Sequence, residues 1–222
     1  MPELRDSKTE IVARLIKKNH PYAINKLLVV GCGSGLEAAI LAQQLPAEVS
    51  GIDLKNEFDP EAARIAMLQT GDATALTFAD ETFDFIFSYH ALEHIENPVK
   101  ALEEMRRVLR PGGGFWIGTP NRSRMVGYIG GKNTSFREKI SWNILDWKQR
   151  LRGEFRNELG AHAGFTSTEL SELLSGVFSR VEERTTEYFF SIYENKKAII
   201  KTIESSGLSR FIYPSVYFSG TK

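Results

Sequence analysis

One stretch of nine residues, 29–37, constrains the fold of this chain more than any other. It reads VVGCGSGLE and joins an apolar run, residues 27–30, to a helical pattern over residues 36–45. The apolar run is typical of a buried strand. Glycine adopts positive φ at little cost and lets a ligand approach the backbone closely. A ligand at this turn would lie at the carboxyl end of a parallel strand and over a helix N-terminus.

Strand-like and helix-like segments alternate along most of the chain, which predicts a parallel sheet covered by helices on both faces. A helix over residues 7–19 precedes the first strand, with Ser7 and Glu10 as a predicted capping box. A second capping box, Thr166 with Glu169, predicts a helix to about residue 175. The predicted strands cover residues 26–31, 48–53, 65–70, 83–88, 115–118, 177–184 and 211–219.

The composition limits the classes of function. A chain of 222 residues with no net charge is long enough for one large α/β domain or two small ones. Zero net charge gives no overall attraction to nucleic acid, so no nucleic-acid partner is expected. We find no apolar run long enough for a transmembrane segment and no signal-peptide core, which favours a cytoplasmic location. The single cysteine excludes an internal disulfide framework and a cysteine-based zinc site.

Residues 121–163 interrupt the alternation and are interpreted as an insertion with one helix, residues 135–152. The segment holds nine Lys or Arg against four acids, together with Trp142 and Trp147. A solvated basic face is one interpretation. The alternative is that some of these cations meet an anionic acceptor group, such as a carboxylate, a phosphate or a lipid headgroup.

The spacing of the glycine turn favours one class of ligand. A dinucleotide fingerprint needs a glycine where this chain has Leu36. The Glu37 carboxylate would repel a pyrophosphate at the helix N-terminus. Asp53 ends the second predicted strand, where it can accept hydrogen bonds from a ribose diol. A ligand with a ribose and no phosphate fits these observations, and S-adenosylmethionine (SAM) is such a ligand.

Six motifs in order then resemble a class I SAM-dependent methyltransferase, of the broad group that includes the ubiquinone and menaquinone C- and O-methyltransferases. They are VVGCGSG at 29–35, GIDL at 51–54, GDA at 71–73, LTFADETFDFI at 76–86, ALEHI at 91–95 and RVLRPGGGF at 107–115. The resemblance is close over about residues 25–120 and looser from 160 on. It implies a Rossmann-like, seven-stranded, mostly parallel sheet with the last strand antiparallel, in a single domain covering residues 1–222.

The resemblance also implies a cofactor site. Gly31, Gly33 and Gly35 would line the methionine part of SAM, with Cys32 as a small apolar filler beside the ligand. The remaining roles are ribose binding by Asp53, adenine contacts by Leu54, Asp72 and Ala73, and a border to the methionine and sulfonium by Ser88 and Tyr89. Asp72 has an alternative role as the cap of a turn. Family members often carry an acid at the position of Val29, where it braces the glycine loop.

The sequence indicates the catalytic residues less clearly than the cofactor-binding residues. His94 and His90 follow the fourth predicted strand and are candidate bases for a hydroxyl acceptor. The pair Glu93-His94 is also a frequent family element with a structural role. His162 is a weaker candidate for the same cleft, and His20 is expected only to end a helix. No histidine and carboxylate set has metal-ligand spacing, so no metal is expected.

We therefore predict a SAM-dependent methyltransferase that acts on a small-molecule acceptor and releases S-adenosylhomocysteine (SAH), with O-methylation slightly ahead of C- or N-methylation. A non-catalytic SAM-binding or scaffold protein on the same fold is the alternative. A nicotinamide-dependent oxidoreductase is disfavoured by the glycine spacing. The acceptor and the oligomeric state stay open.

Overall fold

A computed structural model describes residues 4–127, 135–159 and 161–222. Lys132, one of the cations counted in the basic segment, lies outside these residues. The strands form one sheet in the order β3-β2-β1-β4-β5-β7-β6. Their bounds are β1 Lys26–Val30, β2 Glu48–Asp53, β3 Met67–Thr70, β4 Phe83–Tyr89, β5 Leu109–Pro120, β6 Arg180–Glu183 and β7 Ser215–Thr221.

The helices are α1 Ser7–Asn19, α2 Leu36–Gln44, α3 Pro98–Val108, α4 Phe136–Leu151, α5 Ser167–Ser175, α6 Thr185–Ile192, α7 Lys197–Ser205 and α8 Ser209–Ile212. Short 3₁₀ turns cover Ala62–Arg64, Leu92–His94, Asn157–Leu159 and Glu194–Lys196. Within the part of the chain that the structure describes, no helix is both long and apolar enough to cross a membrane.

The sheet topology confirms the predicted fold class. Strand β1 pairs in parallel with β2 on one side and with β4 on the other. Strand β7 runs antiparallel to both of its neighbours, β5 and β6. The strand order reverses between β1 and β4, and ligands of open α/β sheets bind at the carboxyl ends of strands beside such a reversal. The glycine loop, residues 31–35, begins at this position.

Alternation along β1 divides the core between the two faces of the sheet. Leu27 and Val29 belong to one buried cluster, while Leu28 and Val30 belong to the other. Helix α1 packs on the first face through Ile11, Val12, Leu15 and Ile16, together with α2 and α6. The sequence left open whether this helix packs on the sheet or covers a pocket. Its apolar stripe packs on the sheet.

Several predicted boundaries were wrong. Asp6 rather than Ser7 caps α1, because its carboxylate accepts a hydrogen bond from the Thr9 N–H. Helix α6 was not predicted, since its β-branched and aromatic residues resemble a strand. The last strand begins at Ser215, because residues 209–212 form a short helix. The capping box of Thr166 and Glu169 is confirmed.

Candidate active site

The glycine loop has backbone angles that residues other than glycine rarely adopt. Gly31, Gly33 and Gly35 have φ values of 73°, 52° and 85°. A Cβ at Gly31 would lie 2.2 Å from the Ala91 Cβ, and one at Gly35 would lie 2.2 Å from a methyl group of Leu68. The backbone angle favours glycine at both positions, and at both a side chain would also have to displace a neighbouring residue.

Asp53 braces this loop. Its Oδ2 accepts a hydrogen bond from the Gly33 N–H at 2.8 Å, and its Oδ1 accepts one from the Lys55 N–H at 3.1 Å. Val29, where the family resemblance implies an acid, is fully buried in the core. The next strand thus supplies an acid that braces the loop. A carboxylate has about four acceptor positions, so Asp53 retains lone pairs for a diol.

A cleft of about 1310 Å³ opens at the carboxyl ends of β1, β2 and β4. The cleft extends from the acidic residues at the strand ends to the turn that follows β4. Leu54 is 73% exposed at its wall and leaves an apolar surface that a planar group can cover. Of the predicted site residues, the walls include Gly31, Gly33, Asp53, Leu54, Asp72, Ala73, His90 and His94.

The walls of the cleft are acidic. The lining carboxylates belong to Asp53, Glu57, Asp72 and Glu96, and the lining ammonium groups belong to Lys55 and Lys100. Such a surface disfavours a polyphosphate and suits a ligand with a positive charge. Burial, followed by the nearby Asp6, raises the pKa of Glu37 to about 7. Glu37 is therefore only partly ionised near neutral pH. The carboxylates of the cleft walls would repel a polyphosphate more strongly than Glu37 would.

The two candidate bases lie on consecutive turns at one end of the cleft. His90 adopts a left-handed φ of 51°, and its N–H donates to the Gly118 carbonyl at 2.8 Å. Its Nε2 lies 3.2 Å from the Ser215 hydroxyl. His94 is half-exposed, and its ring meets the His162 ring edge-on at 4.8 Å between centroids. Burial lowers the pKa of both His90 and His94.

Glu93 lies between these histidines, and sequence reasoning gave it no chemical role. It is 4% exposed, and neither carboxylate oxygen accepts a hydrogen bond from another described residue. One oxygen lies 3.9 Å from His90 Nδ1 and 3.9 Å from His94 Nε2. Burial raises the pKa of Glu93 to about 7. The sequence feature that could have indicated a role for Glu93 is its position, three residues after one histidine and directly before another.

Comparisons with known proteins indicate which family this chain resembles. Residues 28–117 match the family model described as a methyltransferase domain. This match supports a class I SAM-dependent methyltransferase fold for the matched segment. A ubiquinone biosynthesis O-methyltransferase of Aliivibrio fischeri is 34% identical over 107 residues, which is 44% of this chain and 45% of that protein. The chain spans less than half the length of the curated relatives it matches.

Solved structures share the fold of this chain at low sequence identity. Phosphoethanolamine N-methyltransferase 2 of Haemonchus contortus, in complex with SAM, has a TM-score of 0.59 at 19% identity, over 96% of this chain and 52% of that one. The [4+2]-cyclase SpnF has a TM-score of 0.58 at 17% identity, over 96% and 80% of the two chains. The same fold therefore carries different chemistries.

The residues of this cleft fit SAM. The exposed Leu54 offers an apolar surface for adenine, and Asp53 has acceptor positions for the ribose. Asp72 both caps a turn and lines the cleft, because its Oδ1 accepts from the Thr74 N–H and hydroxyl at 2.8 Å each. These two hydrogen bonds lower its pKa. The acidic walls suit the positive sulfonium of SAM.

Four predicted cofactor residues lie just outside the walls of the cleft: Cys32, Gly35, Ser88 and Tyr89. Cys32 is buried, and burial followed by Asp53 raises the pKa of its thiol to about 12, as expected of a packing residue. The Ser88 hydroxyl donates to the Val30 carbonyl at 3.1 Å. Burial likewise raises the pKa of Tyr89 to about 12, and its hydroxyl bonds to Tyr217 and Tyr188. Their contact with SAM stays a prediction.

The other two histidines differ in position. His162 reaches the edge of the cleft through its contact with His94. His20 packs edge-on against Phe85 with ring centroids 5.2 Å apart, and it does not line the cleft. Among the described residues, no group of three or more His, Cys, Asp or Glu side chains is arranged to hold a metal ion.

Proposed function

We propose that this protein transfers the methyl group of SAM to a small-molecule acceptor, with O-methylation ahead of C- or N-methylation. The observation that carries the proposal is a single cleft with two ends. One end presents Asp53, Leu54 and Asp72, and the other presents His90 and His94. Cofactor-binding groups and candidate bases therefore share one cavity.

The cofactor end would hold SAM through the groups already described. Asp53 accepts from the ribose hydroxyls, Leu54 covers the adenine, and Asp72 accepts from the adenine amino group beside Ala73. The glycine loop lines the methionine part with Cys32 behind it, and Ser88 and Tyr89 border it from β4. When bound, SAM supplies a methyl group activated by its sulfonium. The protein then contributes mainly proximity and orientation.

The histidine end would serve the acceptor. A hydroxyl must lose its proton as it is methylated, and a neutral imidazole can take that proton. The lowered pKa of His94 and His90 keeps both rings neutral at pH 7. Glu93, 3.9 Å from each ring, would stabilise the imidazolium that forms. His94 is the first candidate, because its ring is more exposed to the cleft.

Two observations bear on the class of acceptor. The name of the Aliivibrio relative favours a hydroxyl acceptor, whereas that of the Haemonchus structure shows that the fold also serves amines. Burial lowers the pKa of His90 most, and Lys8 and Arg124 lower it further, so two cations lie within electrostatic reach of this end of the cleft. That charge supports an acceptor with an anionic group.

Calorimetry with SAM, SAH and NAD tests the cofactor assignment. We expect both sulfur ligands to bind and NAD to bind much more weakly or not at all. If neither SAM nor SAH binds at millimolar concentration, the proposal is wrong. If SAM binds but no SAH is released across a broad acceptor panel, the scaffold alternative is favoured.

The role of His94 has a more specific test. A panel of phenols of decreasing pKa should show a fall in kcat of about 10² or more for His94→Asn on the least acidic phenols. Phenols that are already ionised need no base, so their turnover should change little. An equal loss across the whole panel would assign His94 to binding or structure instead. His90→Asn and His162→Asn provide matched comparisons.

A further inference from the structure

Helix α4 reverses the usual arrangement of an amphipathic helix, because its polar face is buried. Asn143 accepts from the Gly127 N–H at 2.6 Å and donates to the Gly127 carbonyl at 3.2 Å. Asp146 pairs with the buried Arg124 at 3.3 Å. Arg150 donates to the Arg122 carbonyl at 2.7 Å. Polar contacts with residues 122–127 therefore anchor the helix.

The apolar stripe of α4 faces solvent. It consists of side chains at positions i, i+4, i+8, i+11 and i+15, which share one face of a helix: Phe136, Ile140, Ile144, Trp147 and Leu151. All five are exposed, and Phe136 and Leu151 are 77% and 89% exposed. The exposed Met125 extends the stripe, because its carbonyl accepts from Trp147 Nε1 at 2.7 Å. A contiguous apolar surface of this kind marks an interaction site.

Positive charge borders the stripe. Arg137 and Lys148 are exposed and follow Phe136 and Trp147 by one position each, so they lie along the same edge of the helix. Arg152 and Arg156 are exposed just beyond its end. An apolar stripe that includes Trp and Phe and is flanked by Lys and Arg is typical of helices that lie in a membrane interface.

We propose that the α4 stripe docks this protein onto an anionic phospholipid surface, with the stripe among the headgroups and upper acyl chains and the flanking cations on lipid phosphates. A second copy of the chain fits less well. Two-fold pairing of antiparallel stripes would place Arg137 of one copy near Lys148 of the other, and like charges would repel.

Vesicle flotation with the full chain tests this inference. The protein should float with phosphatidylcholine–phosphatidylglycerol vesicles at low salt, and much less with phosphatidylcholine alone or at high salt. The double variant Phe136→Ser/Leu151→Ser should bind the mixed vesicles at least about tenfold more weakly. Leu145→Ser is the matched control, because this exposed leucine lies on a different face of α4 from the stripe. Its binding should stay within about twofold of the parent.

Arg137→Gln/Lys148→Gln should weaken binding to the mixed vesicles and flatten its salt dependence. Retained SAH affinity in each variant, measured by calorimetry, would show that the fold persists and would keep this test separate from that of the proposed function. Three outcomes would overturn the inference: no flotation with anionic vesicles, equal flotation of Phe136→Ser/Leu151→Ser and Leu145→Ser, or a lipid-free dimer in light scattering that Phe136→Ser dissociates.

Discussion

Glu93 shows at the scale of one residue how a sequence element acquires a chemical role from its surroundings. In the sequence it is one acid in a frequent family motif. In the fold, the turn Leu92–His94 buries its carboxylate beside two histidines and provides it with no hydrogen-bond donor from the described residues. Burial without a partner favours the neutral form of a carboxyl group. The same group gains stability when a neighbouring imidazole takes a proton.

Glu93→Gln should change the pH dependence of stability. The pKa of Glu93 is about 7 in the fold against an ordinary value of 4.5, so the folded state binds this proton more tightly than the unfolded state. The free energy of unfolding therefore falls as pH rises from about 4.5 to 7. A neutral glutamine removes this loss and should stabilise the protein by about 1–3 kcal/mol at pH 8 and by little at pH 5. Urea unfolding at the two pH values measures the difference.

Glu96→Gln is the control for this measurement, because Glu96 is an exposed glutamate three residues along the same segment. It should leave the stability nearly unchanged at both pH values. A Glu93→Gln variant whose stability differs from the parent equally at pH 5 and pH 8 would contradict the assignment of the loss to this carboxyl group.

Asp53→Ala should weaken SAH binding at least about tenfold, or about 1.4 kcal/mol. The variant loses the carboxylate that we assign to the ribose and also the hydrogen bond to the Gly33 N–H. Calorimetry measures the affinity. Glu57→Ala removes another acid of the cleft wall without touching the glycine loop, and it should have a smaller effect. Unchanged affinity in Asp53→Ala would remove this residue from the site.

At the scale of elements, the glycine loop depends on its neighbours as much as on its own backbone. Gly35→Ala should destabilise the protein by about 2–4 kcal/mol, because it combines a φ of 85° with a clash against Leu68. Gly112→Ala has a similar φ of 74° and open space around the added Cβ, so it should cost about 1 kcal/mol. The free energies of unfolding of the two variants, measured by chemical denaturation, separate the cost of the backbone angle from the cost of the clash with Leu68. Equal losses would mean that Leu68 moves aside freely.

The elements around the cleft were the ones that the sequence predicted best. Strands β1, β2 and β4 are buried and apolar, and turn residues or helix caps bound them closely, so local patterns suffice. Helix α6 was missed because packing against β7 overrides the strand preference of Tyr188, Phe189 and Phe190. The burial of Glu93 and the outward stripe of α4 depend on contacts between distant segments. Such contacts leave no periodic signal in a sequence.

At the scale of the whole molecule, the sheet joins two cores that no single segment could form. Helix α1 and the aromatic side chains of α6 and β7 pack into the same cluster as β1. The other face joins α3 and α5 to the same strands. Because both clusters include β1 side chains, we propose that the chain is one domain that unfolds in a single step.

SAH should therefore stabilise the whole chain at once. At about 100 times its Kd, a ligand that binds only the folded state adds about 2.7 kcal/mol. For a domain of this size, that corresponds to a rise in Tm of about 5–10 °C. Calorimetry should show one transition that shifts as a unit, with no comparable shift for NAD and a reduced shift for Asp53→Ala. A first transition that does not respond to SAH would mean that part of the chain, such as α1 or the C-terminal helices, unfolds independently of the cleft.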